Sequence, residues 1–131
     1  MKARVRLVEA MTFVAESGSG HAVVMDASPD VGGRDLGARP MEMVLMGAGG
    51  CSAIDVVHTL RKARQDLVDC VVEIEGERAA GDPKVFTRIR MHYVVTGRGL
   101  NPAQVERAIR LSKEKYCSAT IMLAKTAEVT A

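Results

Sequence analysis

The sequence predicts an α+β domain, and three observations carry that expectation. Polar and apolar residues alternate over several separate runs, the signature of strands with one wet face. One long stretch, from Met41 to about Arg64, follows helical spacing and is almost wholly apolar in its first half. The runs come as three strands, a helix, two long strands, a helix and a terminal strand, an order that groups strands rather than interleaving them with helices. With 131 residues, 47% of them hydrophobic, the chain suffices for one domain, 1–131, with a real core.

The first strand is residues 2–8, where Lys2, Arg4 and Arg6 alternate with Ala3, Val5 and Leu7. Met11 to Ala15 and His21 to Asp26 follow, joined by Gly18-Ser19-Gly20, and complete an antiparallel meander. Ser28 to Arg39 is rich in Gly, Pro and Asp and reads as a loop of about a dozen residues, long enough to be functional or mobile. Pro40 opens the long helix, where its missing N–H costs nothing. Met41, Met43, Val44, Leu45, Met46 and Ala48 make that helix apolar on every side, which predicts burial all round. Arg61, Lys62 and Arg64 suit its C-terminus. A helix greasy on all faces needs cover beyond one sheet, so a homodimer sharing that helix layer is expected.

Leu67 to Arg78 alternates with Val68, Cys70, Val72 and Ile74 facing inward. Val85 to Thr96 does the same with Val85, Thr87, Ile89, Met91, Tyr93 and Val95. Asn101-Pro102-Ala103-Gln104 supplies an N-cap, a proline at the first helical position and a glutamine at the third. That helix is expected to reach Tyr116, with Val105, Ala108, Ile109, Ser112 and Tyr116 on its apolar face. A short helix, Ser118 to Leu123, and a strand, Ala127 to Val129, close the chain.

Composition removes several functions. Lys plus Arg number 18 against 16 acidic residues, and a net charge of +2 makes no electrostatic case for nucleic acid. Aromatics are 3% with no Trp, so no base-stacking platform is expected. No stretch reaches about 18 uninterrupted apolar residues, and the N-terminus has no signal-peptide core, so neither a membrane nor an export route is expected. The three cysteines, Cys51, Cys70 and Cys117, are odd in number and widely spaced, unlike a secreted disulfide framework or a zinc motif. A reducing cytoplasm is the expected location.

Cys51 lies in Gly47-Ala48-Gly49-Gly50-Cys51-Ser52-Ala53-Ile54-Asp55. Three glycines in four helical positions cost up to about 1 kcal/mol each against alanine. Either they admit close packing and Cys51 fills a gap, or they open access to its sulfur. Cys117 ends a helix in Lys115-Tyr116-Cys117-Ser118 and is either a buried cysteine or the partner of a redox pair with Cys51. Cys70 alternates with valines on a strand and reads as structural. Asp55 and His58 share a helix face with Cys51, but three groups on one helix seldom converge as a hydrolytic triad. Asp55 would also disfavour the thiolate; solvation or pairing with Lys62 is its plainer reading. A zinc or copper site from Cys51, Cys117 and His58 is a weaker option, and no metal or cofactor is expected.

Arg39-Pro40-Met41-Glu42-Met43-Val44-Leu45-Met46, then Gly49-Gly50-Cys51, and Tyr116-Cys117-Ser118 resemble the OsmC/Ohr family over nearly the whole chain. The Gly-Gly-Cys-Ser-Ala-Ile-Asp segment is similar to its YhfA-like branch. The resemblance implies an OsmC-like fold with antiparallel sheets around a long buried central helix, as an intertwined homodimer with two sites at the subunit interface. It also implies reduction of small organic hydroperoxides in an oxidative stress response, with an external dithiol as reductant. By position, Cys51 is the peroxidatic thiol and Cys117 the resolving one, their Cα atoms about 4.4–6.8 Å apart. Met41, Leu45 and Met46, with Met122, are expected to line an apolar pocket that favours hydrophobic peroxides. The family places a glutamate directly after the proline; here Met41 stands there and Glu42 comes one later, about 100° round the helix. The family's N-terminal arginine has no clear match, and Arg34 or Arg39, from a loop expected to border the entry, are with Glu42 the candidates to steady the thiolate. The alternative is a non-enzymatic dimer that binds a small apolar ligand, its cysteines structural.

Overall fold

The computed structural model describes all 131 residues, which divide into two compact units, Met1–Val44 and Leu45–Ala131. In the first, β1 (Ala3–Glu9), β2 (Thr12–Ser17) and β3 (Ala22–Met25) form the antiparallel meander in that order. The loop that follows carries a single 3-10 turn, Pro29–Val31, and Met25 bridges Ala38. Asp26 is buried, and its carboxylate ties the meander to the loop. It accepts hydrogen bonds from Thr12 Oγ1 (2.9 Å), the Ala27 N–H (2.8 Å) and the Leu36 N–H (3.2 Å). Burial alone would push this carboxyl up; the hydrogen bonds outweigh it and hold it below its ordinary value of 3.8.

Helix α1 (Pro40–Lys62) starts in the first unit, and most of it belongs to the second. Glu42 Oε1 accepts the Arg39 N–H at 2.8 Å, satisfying a donor at the helix start. The expectation of burial on every side is corrected within the protomer. Ala48, Gly49, Ser52, Val56 and Leu60 are buried, whereas Val44, Met46 and Ile54 are 40%, 51% and 71% exposed. Leu67, Cys70, Tyr93, Val95, Val105 and Ile109 pack on the buried face, around Val56, Leu60 and Ala108. Nothing within the protomer fills the opposite side at Gly47 and Gly50, where an added Cβ meets open space. By length and mean hydropathy (1.4) α1 would suffice to cross a bilayer. Its packed face, with Ser52 hydrogen-bonded inside it, is that of a core helix.

Strands β4 (Asp66–Arg78) and β5 (Phe86–Arg98) form a long antiparallel hairpin, and β6 (Glu128–Thr130) adds beside β5. β6 runs parallel to β5, the one exception to the antiparallel sheets that the resemblance implies, because a helical crossover separates them. Two register shifts alter the predicted facing. One between Leu67 and Asp69 turns Leu67 into the core and leaves Val68 57% exposed. Another at Glu77 and Arg78 buries Phe86 and turns Val85 and Thr87 outward. Each extra residue reverses the parity of what precedes it. Gly76 makes room for the Phe86 ring; a Cβ there would sit 2.7 Å from Cε1.

Helix α2 (Pro102–Leu111) begins as expected, with Asn101 Oδ1 accepting the Ala103 N–H at 3.0 Å. It then widens into a π turn, Ser112–Tyr116. The extra residue rotates Tyr116 off the apolar face, and it is 52% exposed rather than buried. α3 (Ser118–Leu123) follows directly.

Candidate active site

Two segments of the second unit build the site. Mid-helix α1 supplies half-buried Cys51 and, one turn later, Asp55; the junction of the π turn and α3 supplies fully buried Cys117. The two Sγ atoms and an Asp55 carboxylate oxygen lie within 4.8 Å of one another. The cysteines that were paired on sequence grounds are therefore neighbours in the fold, both as free thiols. Cys117 is fixed by its backbone. Its N–H donates to the Ser112 carbonyl at 2.8 Å, and its Sγ accepts the Thr120 N–H at 3.4 Å. The Ala119 N–H hydrogen-bonds the Cys51 sulfur.

Behind this trio runs a buried chain of hydroxyls absent from the sequence reading. Ser112 Oγ donates to Asp55 Oδ2 at 3.2 Å, Ser52 Oγ lies 2.8 Å from Ser112 Oγ, and Tyr93 OH lies 2.5 Å from Ser52 Oγ. Each hydroxyl has one proton. Ser112 gives its proton to Asp55 Oδ2, so Ser52 gives its own to Ser112 and Tyr93 its own to Ser52. Burial pushes the Tyr93 phenol up, which keeps it a donor. The signal was present as two serines on otherwise apolar faces, Ser52 on α1 and Ser112 at the end of α2, but their 60-residue separation hid the contact.

Burial also pushes the Cys51 thiol above its ordinary value of 9.0. The Ala119 N–H opposes this; the Cys117 thiol and the Asp55 carboxylate reinforce it. The Cys51 thiolate is thus disfavoured in the protomer. Removing the negative charge with Asp55→Asn is expected to bring the thiol down. Iodoacetamide alkylation of Cys51, followed against pH, should then rise at lower pH in the variant than in the wild type. An unshifted or upward-shifted profile would contradict this account of the thiol.

The remaining expected site residues are placed as follows. Arg34 pairs with Glu9 (3.5 Å) and contacts Thr12 Oγ1 (3.4 Å); Arg39 pairs with Asp35 (3.9 Å) and Glu42 (3.6 Å), all within the first unit. Met41 and Leu45 are half-buried, while Met46 and Met122 are open at the protomer surface, 51% and 69% exposed. Asp55 finds Ser112 as its partner rather than Lys62. Both Asp55 and Lys62 border a cavity of about 560 Å³ that His58, Arg107, Leu111 and Tyr116 also line. His58 lies outside the trio of converging ligand atoms. Cys70 packs in the core against Val56, Leu60 and Ala108, where burial first and Asp69 second push its thiol up.

Residues 32–131 match the family model of OsmC-like proteins. The chain is 53% identical to protein YhfA of Escherichia coli K12 over 130 residues, covering 99% of this chain and 94% of that protein. The chain belongs to the OsmC family. Among solved structures, a hypothetical protein from Aquifex aeolicus is 30% identical, with a TM-score of 0.83 over 98% of this chain and 92% of the other. An organic hydroperoxide resistance protein OsmC from Legionella pneumophila is 18% identical, with a TM-score of 0.74 over 98% and 92%, a likeness of fold. The α+β architecture described above is the OsmC-like fold.

Proposed function

We propose that this OsmC-family protein is a thiol-dependent peroxidase that reduces small hydrophobic hydroperoxides in the cytoplasm, as a homodimer. The observation that carries the reading is the approach of two free thiols, one half-buried and one fully buried, to within 4.8 Å. The Cys51 thiolate attacks the distal oxygen of the hydroperoxide and the O–O bond breaks. The alkoxide takes a proton and leaves as the alcohol, and Cys51 becomes sulfenic acid. The Cys117 sulfur then displaces that hydroxyl, releasing water and closing a Cys51–Cys117 disulfide. An external dithiol reduces the disulfide and is itself oxidised. The exposures suit the order, because the entering oxidant meets Cys51 first and the buried Cys117 reacts only with its neighbour.

The step that needs support is formation of the Cys51 thiolate. Its N–H contact from Ala119 favours it; Asp55 and burial oppose it. Arg39 or Arg34, with Glu42, is proposed to supply the missing cation on assembly, and Met41, Leu45, Met46 and Met122 the apolar wall that selects the substrate. The raised thiol favours a second reading, a non-enzymatic dimer that binds a small apolar ligand. The Cys117→Ser variant separates the two. Cumene hydroperoxide is expected to leave a sulfenic acid on Cys51 of that variant, which dimedone captures as an adduct found by peptide mass spectrometry. An unmodified Cys51 under the same exposure favours the binder.

A further inference from the structure

We infer that Cys51, Cys117 and Asp55 form a binding site for a thiophilic divalent cation such as Zn²⁺. The three ligand atoms come from two segments and converge within 4.8 Å. A tetrahedral zinc ion with Zn–S of about 2.3 Å and Zn–O of about 2.0–2.2 Å needs its ligand atoms roughly 3.5–3.8 Å apart. The three atoms, all within 4.8 Å of one another, stand at most about 1 Å wider than that spacing. Two sulfurs and one carboxylate oxygen form a soft-to-borderline donor set, which selects zinc over calcium or magnesium. Three protein ligands leave a fourth position for water or an incoming thiol.

The surroundings fit a metal ligand set. Ser112 Oγ holds Asp55 Oδ2, and Ser52 and Tyr93 back Ser112, so the carboxylate is oriented by an outer shell of hydrogen bonds. Three groups that would repel one another as anions sit side by side, and a dication converts that repulsion into attraction. Cys70, in the separate core cluster, takes no part. The site uses both redox thiols, so the zinc form and the disulfide form exclude each other.

The test is direct titration of the reduced, metal-free full chain with Zn²⁺ against a chromophoric chelator. Co²⁺ substitution reports the ligands through thiolate-to-cobalt charge-transfer absorption. One ion per chain is expected. Cys51→Ser and Cys117→Ser should each lose binding at least tenfold, and Asp55→Asn should weaken it at least tenfold and alter the cobalt spectrum. Cys70→Ser should bind as the wild type does, and the oxidised disulfide form should not bind. Thermal melts of each variant identify any loss that comes from misfolding, and for such a variant the cobalt spectrum of Asp55→Glu decides. Wild-type affinity in Asp55→Asn, or binding that survives loss of either Cys51 or Cys117, overturns the site. Peroxidase assays of the same metal-free samples are scored separately, so a protein that binds zinc without turnover removes the enzymatic reading and leaves this one standing.

Discussion

Cys51→Ser is expected to abolish turnover of cumene and tert-butyl hydroperoxide with a dithiol, by roughly a thousandfold or more. Serine keeps the shape of the side chain but cannot pass through a sulfenic acid, and no other thiol takes over. Cys117 is fully buried, and Cys70 is locked in the core around Val56 and Leu60. The substitution is nearly isosteric at a half-buried position, so the melting temperature should hardly move. A steady-state assay checks the first point and a thermal melt the second. Equal turnover in wild type and variant would remove Cys51 from the chemistry.

Leu60→Ala is expected to be the most damaging of the core substitutions to folding. Leu60 is fully buried at the centre of the cluster that joins α1 to β4, β5 and α2. Truncation there costs the transfer energy of the lost methyl groups plus that of a cavity, about 2–5 kcal/mol. Against a total of roughly 5–15 kcal/mol, that is a large share. The midpoint should fall by roughly 6–20 °C in a thermal melt. Cys51 and Asp55 lie on the same helix, so any surviving protein should also show slower disulfide closure. A variant that melts within a degree or two of the wild type would mean that the α1 face is not the core of the second unit.

Much of the fold was legible because alternation and helical spacing report directly on burial. The meander, the apolar α1 and the Asn101 cap all stand where the pattern put them. What was not legible has a common physical origin in single inserted residues. The shifts at Leu67/Asp69 and Glu77/Arg78 reverse the facing of Val68, Val85 and Phe86 without any change in composition, and the π turn moves Tyr116 off its face. Alternation cannot report a bulge that leaves apolar residues on both faces.

The site divides in the same way. The residues alone offer Cys51 and Cys117 as a redox pair beside the plainer reading of two buried cysteines, and the family resemblance is what assigns them their separate roles. The sequence offers Asp55 only solvation or Lys62, because its partner, Ser112, comes from the C-terminal end of α2, far along the chain. The Tyr93–Ser52–Ser112–Asp55 chain joins four residues from three segments, and only the folded chain shows it. Arg34, Arg39 and Glu42 already hold ion-pair partners in the first unit, so their proposed service to Cys51 requires those pairs to rearrange or to be shared.

The central claim is that the two neighbouring thiols act as one redox pair, and disulfide mapping tests it most directly. Reduced protein is exposed to one equivalent of cumene hydroperoxide per chain, quenched in acid with an alkylating agent, digested without reduction and read by mass spectrometry. The expected result is a single linked peptide pair joining Cys51 to Cys117, two hydrogens lighter than the reduced peptides, with Cys70 recovered as an alkylated free thiol. Recovery of Cys51 and Cys117 as separate alkylated thiols, or a disulfide that includes Cys70, would contradict it.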